Sequence, residues 1–249
     1  MSETIEDLLA DINSEVFLPG LQREFVWSPN QIETLFDSLI RGYPIGVLLK
    51  WDIRRARDDY FAYKFIPNYI ADDGRVPRPI TDREFTRNNE AVDDADADSL
   101  VIDGQQRLNS LYIGLYGSIA SYTGGSGRTR DESRFWDEQK LCVNLFGHPQ
   151  HDREGLAGDY EFTFKRSSLF GDDDEFGYEY RAGTHRYWFP LPDAIASDGL
   201  LLEQSDLRTL ARDRVRSTII EADEETRDAL TDAASLVMDE FYHNVMKSE

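Results

Sequence analysis

The sequence is poor in several features that would point to a simple function class. Cys142 is its only cysteine, so no internal disulfide can form and a cysteine-built metal cage is excluded. No stretch approaches the roughly 18 consecutive apolar residues of a membrane-spanning helix. The first residues, MSETIEDLLADI, are acidic and amphipathic, unlike the basic start and apolar middle of a signal peptide. No internal repeat is visible, which argues against a solenoid or propeller. Lysine occurs only at Lys50, Lys64, Lys140, Lys165 and Lys247. These absences lead to the expectation of a soluble, cytoplasmic protein with no membrane partner.

Negative charge, by contrast, is abundant. Asp and Glu number 48 against 27 Lys and Arg, a formal net charge of −21. An acidic, lysine-poor surface suits a cytosol of molar salt, where the Debye length shrinks to about 3 Å and self-repulsion is screened. A halophilic source is therefore expected, with an acidic DNA mimic as the alternative. In molar salt the bulk charge says little against a nucleic-acid partner.

With 249 residues the chain can bury a sizeable core. Ile5, Leu8, Leu9 and Ile12 share one face of a short helix, and Val16-Phe17-Leu18 reads as extended. The clearest helix follows: Ser28 and Gln31 have capping-box spacing and Pro29 takes the first helical position. Ile32, Leu35, Phe36, Leu39 and Ile40 then recur at helical spacing until Gly42. Val47 to Trp51 reads as an apolar strand, and residues 52–98 as polar and irregular. A strand from Ser99 to Ile102 opens through Asp103-Gly104 into a helix from Gln106 to about Ile119. Further strands are expected at Leu141–Phe146, Tyr160–Lys165 and Tyr187–Phe189, and helices at Leu200–Ile220 and Glu224–His243. The order describes an α+β protein: a mixed-sheet core with flanking helices over 1–190, then a helical segment over 191–249.

The segment Val101-Ile102-Asp103-Gly104-Gln105-Gln106-Arg107 has the makings of a phosphate site. The first N–H groups of a helix lack internal partners, and the helix end carries partial positive charge. Gly104 lets backbone approach an anion, Arg107 offers a two-pronged contact, and Gln105 and Gln106 donate without adding charge. Asp103 suits Mg²⁺ binding, orientation of Arg107 or positioning of water. A structural reading stands beside this one: Asp103 and Gln106 also have capping-box spacing, and Arg107 then faces solvent. A second polar pair, Gln22-Arg23, precedes the apolar anchors Phe25, Val26 and Trp27.

Three strings now fall into one pattern. They are Leu18-Pro19-x-x-Gln22-Arg23-x-Phe25-x-Trp27, then Gln31 through Gly42-Tyr43-Pro44-Ile45-Gly46, then Val101 through Leu108. This pattern resembles the N-terminal domain family of GmrSD-type restriction proteins, and with it the ParB/sulfiredoxin-like nucleotidase fold. The resemblance is dense over residues 16–51 and 100–116. It implies a domain that binds and hydrolyses nucleoside triphosphates within modification-dependent restriction or antiphage defence. It assigns nucleotide binding to Gln22, Arg23, Gly104, Gln105, Gln106 and Arg107, catalysis to Asp103 and Arg107, and a candidate Mg²⁺ contact to Asp103. Modified DNA and an HNH-type nuclease domain or subunit are the implied partners. The alternative is a non-hydrolytic sensor of modified, for example phosphorothioate, DNA. Two features of such proteins are missing from the sequence: a Phe-x-Arg-x-Asn-x-x-Gly string and an HNH arrangement, for which Tyr242-His243-Asn244 is no substitute. A piece of a longer protein, or a subunit working with a separate nuclease, is expected.

Weaker signals compete. His148, His151 and Asp152 have loose metal-ligand spacing but read better as solvent-facing turn residues. His185-Arg186 could touch a nucleobase or phosphate. Gly124 to Arg130 lacks the Gly-Lys-Ser/Thr ending of a phosphate loop. Arg54, Arg55 and Arg57 are interleaved with Asp52, Asp58 and Asp59, a mixed-charge surface.

Overall fold

A computed structural model describes residues 3–20, 24–54, 61–71, 84–92, 97–123, 136–150, 155–166, 177–219 and 223–248. Helix α1 (Ile5–Ala10) starts at a capping box in which Thr4 and Asp7 exchange bonds. Strand β1 (Val16–Pro19) leads to helix α2 (Pro29–Ile40), whose start is the expected capping box of Ser28 and Gln31 with Pro29 in the first turn. The α2 stripe of Ile32, Leu35, Phe36, Leu39 and Ile40 is fully buried, as its spacing predicts. Beyond α2, Gly42 adopts φ +69° and turns the chain.

Two mixed sheets follow. The first is ordered β2 (Leu49–Asp52), β6 (Ser99–Asp103), β1, β3 (Ala62–Tyr63) and β5 (Ala91–Val92), with β1 and β6 parallel and the other pairs antiparallel. The second is ordered β10 (Tyr178–Arg181), β11 (Thr184–Pro190), β8 (Trp136–Asn144), β7 (Ser118–Tyr122) and β4 (Asn68–Ile70), with β9 (Phe162–Arg166) also on β8. Between β6 and β7 lies helix α3 (Gln105–Tyr116). Helices α4 (Gln204–Thr218) and α5 (Glu224–Glu240) follow, and α5 runs into a π-helical turn at Phe241–Met246. The architecture is α+β, as the element order predicts. No helix among the described residues is long and apolar enough to cross a membrane.

One apolar cluster unites Val16, Leu18 and Val101 of the first sheet with Ile119, Leu141, Val143 and Phe189 of the second. It continues without a break past Pro190 into Leu207, Val215, Val237 and Phe241 of the C-terminal helices. The chain ends meet there: the Ile5 N–H donates to the Ser248 carbonyl at 3.0 Å. Asn244, in the π-helical turn, donates to the Ile40 carbonyl at 2.9 Å. That carbonyl belongs to the last turn of α2, which has no helical partner for it.

Several expectations need correction. The helix after the Asp-Gly turn stops at Tyr116 rather than near Ile119: Gly117 is extended, at φ −131° and ψ −153°, and the Ser118 N–H donates to the Pro67 carbonyl at 3.1 Å, packed so closely that only glycine fits at 117. The chain extends there into β7, and Ile119 is buried as a strand residue. The strand expected at Val47 to Trp51 forms as β2 over Leu49–Asp52, on the sheet edge, where Leu49 and Trp51 are each about half exposed. Within 52–98, β3, β4 and β5 are two or three residues long, yet Phe65, Ile66 and Tyr69 beside them are core residues. His148 does not face solvent; it is buried, with its ring edge-on to Tyr160 at 5.6 Å and its Nδ1 accepting from the Gln150 N–H. Residues 124–130, His151 and Asp152 lie outside the described residues.

Candidate functional site

Helix α3 organises the region around the Asp-Gly-Gln-Gln-Arg string. Its N-cap is Gly104, at φ +82°, a left-handed conformation that glycine adopts without strain. The capping box of Asp103 with Gln106 is therefore not made. With Gly104 as the cap, Gln106 occupies the second helical position, not the third, and its side chain turns elsewhere. Its Oε1 accepts from the Val26 N–H at 3.0 Å and its Nε2 donates to the Glu24 carbonyl at 3.0 Å. That pair of bonds imitates a neighbouring strand and fixes the stretch just after Gln22-Arg23. Gln22 and Arg23 themselves lie outside the described residues.

Arg107 does not face bulk solvent, as the structural reading of the sequence would have it; its side chain is only 18 % exposed. Nη1 donates to the Ile45 carbonyl and Nη2 to the Val47 carbonyl, the latter at 2.8 Å. Two of the five guanidinium N–H groups are thereby engaged, and the other three make no hydrogen bond among the described residues. Gly46, between the two carbonyls, sits at φ +94°, and a Cβ there would lie 2.4 Å from Nη1. Asp103 is open to solvent at 72 %, with a carboxylate oxygen 3.8 Å from Nη2 of Arg107. Gln105 donates back to the Val101 carbonyl at 2.8 Å, tying strand to helix. Farther along α3, Asn109 accepts from the Ile66 N–H and donates to the Ile66 carbonyl. One helix thus holds three separate loops by side-chain bonds to their backbones.

Beside Arg107 a groove of about 340 Å³ runs along α2, from Trp27 before the helix to Tyr43, Pro44 and Ile45 after it. A larger groove, about 710 Å³, lies on the other flank of α2 and is lined by β9, β10 and β11. Most of its ionic groups are paired with one another, whereas Arg181, exposed among its lining residues, makes no ion pair among the described residues. Arg186 grips Glu161 through two bonds, Lys165 pairs with Glu179 and lies over the Trp188 ring, and Asp37 pairs with Arg41. Glu33 accepts from the Phe164 N–H, and its burial there raises its pKa. The larger groove is therefore weaker ground for chemistry than the smaller one.

The remaining sequence candidates are occupied with structure. His185 Nδ1 is 2.6 Å from the Tyr178 hydroxyl, and Arg186 is committed to Glu161, which raises its pKa. Arg54 pairs with Asp52 on an exposed surface, while Arg55 and Arg57 lie outside the described residues. No group of three or more His, Cys, Asp or Glu among the described residues could hold a metal ion. A cation near Asp103 would have one protein carboxylate and would depend on ligand oxygens and water, a pattern usual for Mg²⁺.

The family model described as GmrSD restriction endonuclease, N-terminal domain, matches residues 5–238. The chain belongs to that family. Among curated proteins, the uncharacterized protein MJ0686 of Methanocaldococcus jannaschii is 33% identical over 102 residues, 41% of this chain and 15% of that protein. The chain thus spans a small part of the relative's length. The Asp-Gly-Gln-Gln-Arg string lies within the residues of this GmrSD N-terminal domain that the family model covers. Sequence reasoning missed the loop-holding work of Gln106 and Asn109 and the groove along α2. The amide side chains on a helix that also carries Arg107 are the one signal that could have suggested that work.

Proposed function

We propose that this domain binds a nucleoside triphosphate at the start of α3 and hydrolyses it, as the regulatory module of a modification-dependent restriction or antiphage protein. The observation that carries the reading is the local geometry at Gly104. A glycine N-cap leaves the first-turn N–H groups without a side-chain cap at the positive end of the helix dipole, a setting that favours an anion, although Gly104 itself is buried with Leu48 packed against it. The unused N–H groups of Arg107 adjoin them. The family resemblance assigns Gln22 and Arg23 to the same pocket; both lie outside the described residues. Asp103 is the group to hold Mg²⁺ among phosphate oxygens or to position the attacking water. A bound Mg²⁺ would neutralise phosphate charge; the chain's part is to grip the oxygens and hold the proton acceptor in place.

Asp103 is exposed and makes no close hydrogen bond among the described residues, so Asp103→Asn leaves the fold intact and isolates its role. Without Mg²⁺ the variant should bind nucleotide at least as tightly as wild type, since a repelling charge is gone. With Mg²⁺ its hydrolysis should fall by about a hundredfold or more, within the range of general acid–base contributions. Isothermal titration and phosphate release measure the two. Unchanged turnover would remove Asp103 from the mechanism, and no binding by either protein would end the reading.

A second reading, a non-hydrolytic sensor of modified DNA, draws on the same region. Val26, Val47, Leu49, Trp51 and Ile102, close to the motif in sequence or by strand pairing, are each about half exposed or more. Such apolar surface suits a macromolecular contact. Preferential binding of modified over plain duplex, unaffected by nucleotide, would favour it. Modified DNA and a nuclease domain or subunit are the proposed partners in either case.

A further inference from the structure

The geometry points to a base-recognition subsite: the groove along α2 receives the nucleobase of the nucleotide whose phosphates sit at the start of α3. This inference rests on the nucleotide reading above and adds where the rest of the ligand goes.

The groove has the right chemistry for a flat, neutral, partly polar group. Among the described residues, Arg107 is the only charged one lining it. Trp27 and Ile45 are half-buried against the main core, so they form a firm wall. Tyr43 is 61 % exposed and has no ring partner among the described residues, leaving an aromatic face for stacking. Its position is set from both sides. The Tyr43 N–H bonds the Ser38 carbonyl at 2.9 Å, and two residues later the Ile45 carbonyl is held by Arg107. Polar edges are present too. Gln31 uses its Oε1 to cap α2 through Ser28, which leaves its amide N–H groups to donate to a ring nitrogen or carbonyl. The Ser38 hydroxyl donates to the Thr34 carbonyl and keeps its lone pairs to accept.

Arg107 fixes the order of the ligand. It rises from the first turn of α3, beside the uncapped N–H groups, and its guanidinium forms part of the groove wall. Phosphates on one side and base on the other would share that residue. A volume of about 340 Å³ falls at the small end of ligand pockets, which run from about 300 to 1,000 Å³. It suits a nucleoside better than a large cofactor. A phosphate group would gain only Arg107 from this groove, whereas a base would gain the Tyr43 face, apolar walls and hydrogen-bonding edges.

The test compares GTP, ATP, CTP and UTP with inorganic tripolyphosphate, with Mg²⁺ present, for wild type, Tyr43→Ala and Tyr43→Phe. Base–aromatic stacking predicts that Tyr43→Ala weakens binding of the preferred nucleotide by about five- to a hundredfold. Tripolyphosphate affinity should not change, and Tyr43→Phe should keep nucleotide affinity within about twofold of wild type. Because Tyr43 is exposed, thermal melts of the three proteins should coincide. If nucleotides and tripolyphosphate bind wild type equally well and Tyr43→Ala changes neither, the base subsite is overturned while the phosphate site stands. An equal loss of both ligands on Tyr43→Ala also overturns it. Failure of every ligand to bind wild type overturns both.

Discussion

Gly46→Ala should reveal that Arg107 is a structural staple as well as a candidate ligand group. The native φ of +94° is unfavourable for any residue with a Cβ, at about 1–2 kcal/mol. The new methyl would also meet Nη1 of Arg107 at 2.4 Å. The guanidinium is the flexible end of its side chain, so it would move aside and release the Ile45 carbonyl. A hydrogen bond to a charged group is worth about 1.5–3 kcal/mol, which brings the total to about 2.5–5 kcal/mol. Arg107→Ala alone should cost about 2–3 kcal/mol: the half-buried Ile45 carbonyl loses its donor, whereas water can replace the bond to Val47, 73 % exposed. In the double variant the methyl meets no guanidinium, so only the backbone strain remains. Urea denaturation of the four proteins at one salt concentration, read as a double-mutant cycle, should give a coupling of about 1.5–3 kcal/mol. Losses that add to within about 0.5 kcal/mol would refute the steric link.

Gln106→Ala should free the backbone after Gln22-Arg23; limited proteolysis should cut between residues 20 and 27 faster than in wild type, and an unchanged rate would mean the two amide bonds are not what holds it. Cys142 is fully buried, and burial pushes its thiol pKa well up. It should stay unreactive towards a thiol reagent in the native protein and react only on unfolding; fast native reaction would contradict the burial. Glu33 has its pKa raised by burial, so the stabilisation of its neutral form is complete below the ordinary carboxylate pKa and is lost as pH rises through the folded value. Glu33→Gln keeps an acceptor for the Phe164 N–H, and should therefore lose less stability than wild type as pH rises through and above the ordinary carboxylate range; parallel profiles would show that Glu33 does not carry this dependence.

The parts of the fold legible in the sequence are those decided locally. Helix α2 was readable because Ser28, Pro29, Gln31 and the buried stripe all agree with one another and with Gly42. The break after Tyr116 was not, since Ile119 continues the helical spacing from Leu115, whereas the chain after the extended Gly117 pairs with β4, about fifty residues away. Strands β3, β4 and β5 have too few residues to show alternation, and their positions depend on partners far along the chain, such as β7 for β4. At the candidate site the sequence could identify the glycine turn and the helix that follows. It could not decide which residue caps that helix. Asp103 and Gly104 both qualify, and choosing Gly104 redirects Gln106 from its own helix end to the backbone of Glu24 and Val26, about eighty residues away.

The loops around the start of α3 are held largely by carboxamides: Gln106 on residues 24 and 26, Asn109 on residue 66, and Asn13 on residue 65. An amide has no net charge, so these fastenings gain nothing from dilute buffer and lose nothing in concentrated salt, whereas exposed ion pairs such as Arg54 with Asp52 fade as counterions accumulate. A molecule carrying so large an excess of carboxylates can therefore meet wide swings in ionic strength at its surface while the frame around its motif keeps one shape.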